Sequence, residues 1–182
     1  MLDHFMSFDP SAELSGMFIL SFIHSMWADD VIPLIKKHGF EEVEADAWYS
    51  QQAWLDFLTE LYRLPDSLNR MVSVGLKVGD ALPFPPEVNT LEQAMEFSSQ
   101  AMDHLHSGLW GSEKVEKVSK KHVRVIAHTP YPDAATYGVY WAVAKRFPPA
   151  SKDFTITSSH PGIMRFTSPD DAPLVIDISW QE

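Results

Sequence analysis

The stretch HTPYPDAATYGVYWAVAKRF (residues 128–147) carries the clearest structural signals of this chain, together with MDHLHSGLWG (residues 102–111). A strand-like run over 123–127 ends in a Pro-Tyr-Pro turn, and a helix over 134–147 follows, with Lys145 and Arg146 in its last turn. Proline favours tight turns, and basic side chains stabilise the carboxyl end of a helix. The stretch therefore predicts a strand, a turn and an aromatic-rich helix in succession.

Outward from this stretch, the chain is helical before it and strand-rich after it. Capping residues and apolar spacing predict helices from residue 9 or 11 to about 29, over 31–38, over 49–61, from 66 to about 78, and from 90 to about 104. Alternation predicts a hairpin of strands 114–119 and 122–128, and further strands over 154–158, 163–167 and 174–180. We expect an α+β fold, an N-terminal helical layer packed on a mostly antiparallel C-terminal sheet with one crossing helix.

Length and composition bound the class of protein. The 182 residues suit a single domain over 1–182, with a helical part over 1–80 and a helix plus sheet over 81–182. The absence of cysteine excludes disulfides, thiolate metal sites and cysteine nucleophiles, and it is compatible with the expected cytoplasmic location. A net charge of −11 argues against nucleic acid or anionic membranes as partners.

The first predicted helix is unusually apolar. Residues 16–27 (GMFILSFIHSMW) form a run of 12 residues, shorter than the ~20 that a membrane-spanning helix needs, and acidic residues precede it. Apolar side chains surround the helix axis, which indicates burial on several sides or an oligomer interface. From this pattern we expect no membrane span, and we predict a homodimer.

Few patterns in the sequence point to catalysis or to metal binding. The chain contains no GxSxG, P-loop or GxGxxG motif, so we do not expect an enzyme. His24 could be a ligand or a core histidine, His104 and His106 would point apart on a continuous helix, and His128 suggests a structural role. The hairpin carries a basic cluster interrupted by Glu113 and Glu116, which indicates a solvated face; its members are Lys114, Lys117, Lys120, Lys121 and Arg124.

The aromatic side chains are the best candidates for a ligand-binding surface. Trp54, Phe57, Trp110 and Tyr131 fall on predicted helices and loops that could face the sheet, and His106 could add a polar anchor. Apolar walls with a few polar groups are typical of small-molecule pockets. The same spacing is also typical of ordinary core packing, so both interpretations stay open from the residues alone.

Residues 85–147 resemble the 4-vinyl-reductase-type small-molecule-binding domains, which share a fold with haem-nitric oxide/oxygen-binding (H-NOX) domains and TRAPP vesicle-tethering subunits. The matching features are PPEVNTLEQAM, HLHSGLWG, HTPYPDAATYG and AKRF. The resemblance implies an apolar ligand and a signal passed to a partner. Relatives often carry a CxxxGxxxC segment, whereas this chain has RFTSPDDAPLVIDISW without cysteine, which argues against zinc.

The H-NOX comparison raises haem as a cofactor. The run Met102-Asp103-His104-Leu105-His106 resembles the leucine-aspartate-x-leucine-histidine run of that family, which would make His106 the iron ligand. At the place of the family's tyrosine-x-serine-x-arginine propionate clamp, this chain reads VIAHT (125–129), and all three clamp residues are missing. Without the arginine, the buried propionates lose their partner.

From these observations we expect a stand-alone sensor domain that binds a small hydrophobic or aromatic molecule without turnover. Trp54, Phe57, Trp110 and Tyr131 would supply ring surface, and His106 the polar anchor. The alternatives are a haem-based gas sensor with His106 on the iron, and a protein-interaction module with a filled core. The cofactor is unknown, haem being the weaker expectation, and the partners are the ligand, a second copy and a signalling protein.

Overall fold

The computed structural model describes residues 4–26, 31–149, 153–161 and 165–181. Within these ranges it contains, in chain order, β1 (Glu13–Ser15), α1 (Gly16–Met26), α2 (Ile32–Lys37), β2 (Trp48–Ser50), α3 (Gln51–Tyr62), α4 (Ser67–Ala81), α5 (Leu91–His104), β3 (His106–Ser107), β4 (Ser112–Ser119), β5 (His122–His128), α6 (Asp133–Arg146), β6 (Phe154–Ser158) and β7 (Leu174–Trp180). The α+β fold class is confirmed.

The larger sheet is fully antiparallel, with strand order β4-β5-β7-β6. Alternate residues of β5 and β7 are buried, and Val125 lies opposite Ile176 in the register of the two strands. Side chains of a strand point to opposite faces in turn, so the buried positions form one apolar face. The crossing helix α6 packs on that face and contributes Tyr140 and Val143 to the same core cluster.

A second, smaller sheet was not foreseen. Strands β2, β1 and β3 pair antiparallel in that order, and each has only two or three residues. Such short strands show no alternation that a sequence pattern could reveal. This sheet ties the start of α3 and the end of α5 to the segment before α1.

Helices α4 and α6 pack closely through glycine. A Cβ atom on Gly75 would clash with the carbonyl oxygen of Ala135, and one on Gly138 would clash with that of Val72. Small residues at a helix crossing let the two backbones approach, so this contact fixes α4 against the crossing helix.

The first helix begins later than predicted. Asp9 accepts a hydrogen bond from the Ser11 backbone N–H at 2.8 Å, so it caps a turn, and β1 intervenes before α1 starts at Gly16. The predicted end near residue 29 lies outside the described residues. Phe18, Ile19, Phe22 and Ile23 are buried, whereas Met17 is 60% exposed. In the part of the chain that is described, no helix is both long and apolar enough to cross a membrane.

The strand predicted over 163–167 does not form in its described part. Residues 165–167 have no strand pairing, and 163–164 lie outside the described residues. Arg165 instead pairs with Asp133 at the start of α6, its Nε donating to Oδ2 at 2.5 Å. This ion pair holds the segment against α6, away from a sheet edge.

Candidate functional site: an apolar cavity between helices and sheet

A cavity of about 310 Å³ lies between α1, the carboxyl ends of α4 and α5, and the amino-terminal half of α6. Its wall is almost entirely apolar. The residues that line it are Met17, Phe18, Ser21, Phe22, Leu58, Val78, Ala81, Leu82, Pro83, Ser98, Ala101, Met102, Leu105, Glu113, Tyr131, Pro132, Ala135, Thr136, Val139 and Tyr140. Pockets that hold small molecules have this size range and this character.

One side of the cavity reaches the surface. Met17, Ala81 and Pro83 line it and are themselves exposed, whereas Phe18 and Phe22 behind them are buried. The cavity therefore has a rim at α1 and the α4 carboxyl end, and a deeper part toward Tyr131 and the sheet.

Tyr131 joins the cavity wall to a buried polar network. Its hydroxyl donates to His106 Nε2 at 2.5 Å and accepts from Gln51 Nε2 at 3.1 Å. His106 Nδ1 lies 2.8 Å from the Met102 carbonyl oxygen, which can only accept, so the proton is assigned to Nδ1 and Nε2 accepts from the tyrosine. Gln51 also donates to the Trp110 carbonyl oxygen at 3.1 Å.

The small sheet explains how these side chains meet. Gln51 opens α3 directly after β2, and its backbone N–H donates to the carbonyl oxygen of Ala12 just before β1. His106 starts β3, opposite Leu14 of β1. The small sheet thereby brings Gln51 and His106, which are far apart in sequence, beside Tyr131. Tyr131 lies in the loop between β5 and α6.

Burial controls the protonation of this network. Desolvation lowers the pKa of His106 to about 4, only partly opposed by its bond to the Met102 carbonyl and by the charge of Asp103. Burial also raises the pKa of Tyr131 far above its ordinary value. Both groups are therefore neutral near pH 7, as expected for polar side chains that are enclosed away from water.

A second polar pair lies at the sheet side of the cavity. The Tyr140 hydroxyl on α6 donates to Glu113 Oε2 on β4 at 2.6 Å. Desolvation raises the pKa of Glu113 to about 7, opposed by the tyrosine bond and reinforced by the charge of Asp103. Burial and the neighbouring Glu113 also raise the pKa of Tyr140.

Of the five predicted site residues, Tyr131 alone lines the cavity. His106 lies behind Tyr131, stacked on Trp110 at a centroid distance of 4.5 Å, and both rings are 5% exposed. Trp54 and Phe57 are completely buried against each other, with Trp54 edge-on to Phe18 and Phe22. These four residues support the wall from behind and do not form it.

The remaining histidines are dispersed. His24 is exposed on α1, so the expectation of a core histidine is wrong. His104 is exposed, and its Nδ1 bonds to the Gln100 carbonyl oxygen at 2.8 Å. Across the described ranges, no three histidine, aspartate or glutamate side chains are grouped closely enough to hold a metal ion.

Sequence reasoning missed Glu113 and Gln51 as parts of the site. Glu113 was assigned to the solvated hairpin face, yet it shares the inner face of β4 with Val115, and the two-residue spacing between them was the available signal. Lys114, Lys117 and Lys120 are exposed as predicted, whereas Lys121 and Arg124 are half-buried, and Arg124 pairs with Asp177 at 2.8 Å. For Gln51 no local signal exists, because its role depends on the small sheet.

No family model and no curated protein matches this chain. Solved structures do resemble it. An oxygen-binding H-NOX domain related to soluble guanylate cyclases, in its oxygen complex, superimposes with a TM-score of 0.65 at 13% identity, over 93% of this chain and 96% of that one. A single-residue mutant of T. tengcongensis H-NOX gives a TM-score of 0.66 at 13% identity, over 93% and 98%.

The chain has an H-NOX-like fold. At these sequence identities the similarity shows the fold alone. Whether haem fits the site depends on the residues of this chain. The His106 Nε2 lone pair is engaged by Tyr131, and the ring is enclosed by Trp110 and Phe18. Among the described residues of the cavity wall there is no lysine or arginine to pair with propionates, and Glu113 would repel them. The residues present do not fit haem.

Proposed function

We propose that this H-NOX-like domain binds a small, largely apolar molecule in the cavity beside Tyr131, without turnover, and acts as a sensor. The observation that carries the proposal is the apolar cavity of about 310 Å³, open at the rim formed by Met17, Ala81 and Pro83. Among the superfamily branches, the proposal matches the 4-vinyl-reductase-type resemblance better than haem-based gas sensing, because the site does not fit haem.

We propose that ligand binding changes the surface of the domain through a movement of α5. Met102 and Leu105 line the cavity, and the Met102 carbonyl holds His106 at the start of β3. A molecule that pushes on this last turn of α5 would shift the pairing of β3 with β1. The proposed recipient is a partner protein or a second copy of the chain.

The test compares a probe with a blocked cavity. Ala101 lines the cavity, and Ala101→Phe would fill it, whereas Gln100→Phe adds the same ring at an exposed position of α5. We expect 4-phenylbutan-1-ol to bind the wild type and Gln100→Phe in isothermal titration calorimetry, and affinity for Ala101→Phe to fall at least tenfold. Equal binding to all three proteins would contradict the proposal.

Two measurements on the purified protein address the rivals. Mass spectrometry of an organic extract should reveal a co-purifying apolar molecule. Titration with haemin should give no Soret band that depends on His106, and a band lost in His106→Ala would establish the gas-sensor alternative. A blank extract together with no probe binding would favour the interaction module.

A further inference from the structure

The cavity wall contains a single charged side chain among its described residues, Glu113. Tyr140 engages Oε2 of that carboxylate, so Oε1 can accept from a ligand. We propose that the cavity takes an apolar molecule that carries one amine, and that the ammonium group pairs with Glu113. This inference rests on the proposed ligand-binding function and adds the chemical class of the ligand.

The electrostatics of Glu113 favour a cation. A carboxylate removed from water is costly unless it is paired, and the tyrosine hydroxyl that contacts it carries no charge. Asp103 adds a second negative charge nearby, and together with burial this raises the pKa of Glu113. An ammonium group would supply the missing opposite charge through a charge-assisted hydrogen bond. An anionic ligand would meet repulsion at the same place.

The rings around the cavity suit the same ligand. Phe18, Phe22, Tyr131 and Tyr140 all line it, and the faces of aromatic rings attract cations, more strongly where water is excluded. The net charge of −11 also favours the approach of a cation over that of an anion. The apolar side toward the rim would hold the hydrocarbon part.

The experiment uses three probes with the same phenylbutyl body. By isothermal titration calorimetry at pH 8, we expect 4-phenylbutylamine to bind the wild type at least tenfold more tightly than 4-phenylbutan-1-ol, and 4-phenylbutyrate to bind most weakly. Glu113→Gln should remove the preference for the amine, so that the amine and the alcohol bind this variant with affinities within threefold of each other.

A matched control comes from the same strand. Glu116 pairs with Lys114 at 2.7 Å in a solvent-accessible position. Glu116→Gln removes one negative charge from the hairpin, so it should leave the preference for the amine intact. A loss of the preference in this variant would mean that general charge attraction accounts for it, and would overturn the inference.

The pH dependence of the wild type provides evidence that needs no variant. The titratable groups that face Glu113 in the described part of the chain are Tyr140 from α6, Tyr131 from the loop before α6, and Asp103 from α5. Protonation of Glu113, whose pKa is about 7, should weaken amine binding at least tenfold between pH 8 and pH 5.5, while alcohol binding changes little.

The outcomes separate the two proposals. If amine and alcohol bind the wild type equally at pH 8, the assignment of Glu113 as an ammonium acceptor is wrong and the ligand-binding function stands. If none of the three probes binds, both proposals are wrong.

Discussion

At the scale of single residues, buried His106 and half-buried Glu113 respond to acid in opposite directions. The folded-state pKa of His106 is depressed to about 4, so its stabilising contribution is present above pH 6.5 and is lost as the pH falls through 4. The pKa of Glu113 is raised to about 7, so its contribution is present below pH 4.5 and is lost as the pH rises through 7. Between pH 6.5 and 4.5 the two contributions oppose each other.

We therefore predict that Glu113→Gln makes the protein more sensitive to acid. With the opposing carboxyl removed, the free energy of unfolding should fall by about 2 kcal/mol more than in the wild type between pH 6.5 and pH 4.5. Urea unfolding at the two pH values measures this difference. Glu116→Gln should not deepen the fall, because the hydrogen bond and the charge of Lys114 hold the pKa of that carboxyl below its ordinary value. Equal falls in wild type and Glu113→Gln would refute the prediction.

The structure places the five candidate site residues in two different layers, and their role in ligand binding stays a prediction. Tyr131 was a candidate because it is an aromatic side chain in a predicted loop that could face the sheet, and it lines the cavity. Trp54 and Phe57 were chosen for the same aromatic character, but they lie in the core. Aromatic spacing reports burial, and it does not distinguish a cavity wall from the layer behind it. Glu113 was overlooked because the alternating charges around it were interpreted as a solvated surface. Its two-residue spacing from Val115, which places both side chains on one face of β4, was not used.

At the scale of elements, the α4–α6 crossing depends on the absence of side chains. We predict that Gly75→Ala destabilises the protein by at least about 2 kcal/mol, because overpacking of a close crossing outweighs the roughly 1 kcal/mol that alanine gains in helix propensity. Thermal or urea unfolding measures the change.

Ser73→Ala supplies the matched control for that prediction. Ser73 is exposed on the same helix, so its replacement should change stability by less than about 0.5 kcal/mol. A Gly75→Ala protein as stable as the wild type would show that α4 and α6 can move apart without cost.

Elements with strong local signals were predictable. The predicted cap of α5 is present, with Thr90 accepting from the Gln93 N–H at 3.3 Å, and β6 and β7 have the predicted bounds. The three strands of the small sheet were not, since their pairing joins residues near 14, 49 and 106, and nothing local specifies it. The strand predicted over 163–167 is absent from its described part, 165–167, where Arg165 pairs with Asp133.

At the scale of the whole molecule, the oligomeric state remains a prediction. The first helix suggested a homodimer, and within its described side chains Phe18, Ile19, Phe22 and Ile23 face the core of the same chain. Met17 of the same helix is 60% exposed, so its apolar side chain is available for contact with a second copy of the chain. We predict a dimer in size-exclusion chromatography with light scattering, and a mass near 20.6 kDa would refute it.

The cavity wall draws on segments from Met17 to Tyr140, contributed by helices, a strand and a loop. A molecule bound there touches parts of the chain that separate on unfolding, so it acts as a removable, non-covalent cross-link. Its contribution follows mass action, about 2.7 kcal/mol at a hundredfold excess over the dissociation constant. Protein purified away from its ligand would then melt at a lower temperature than the same protein in the cell, and the thermal stability of an extract would report how much of the domain is occupied.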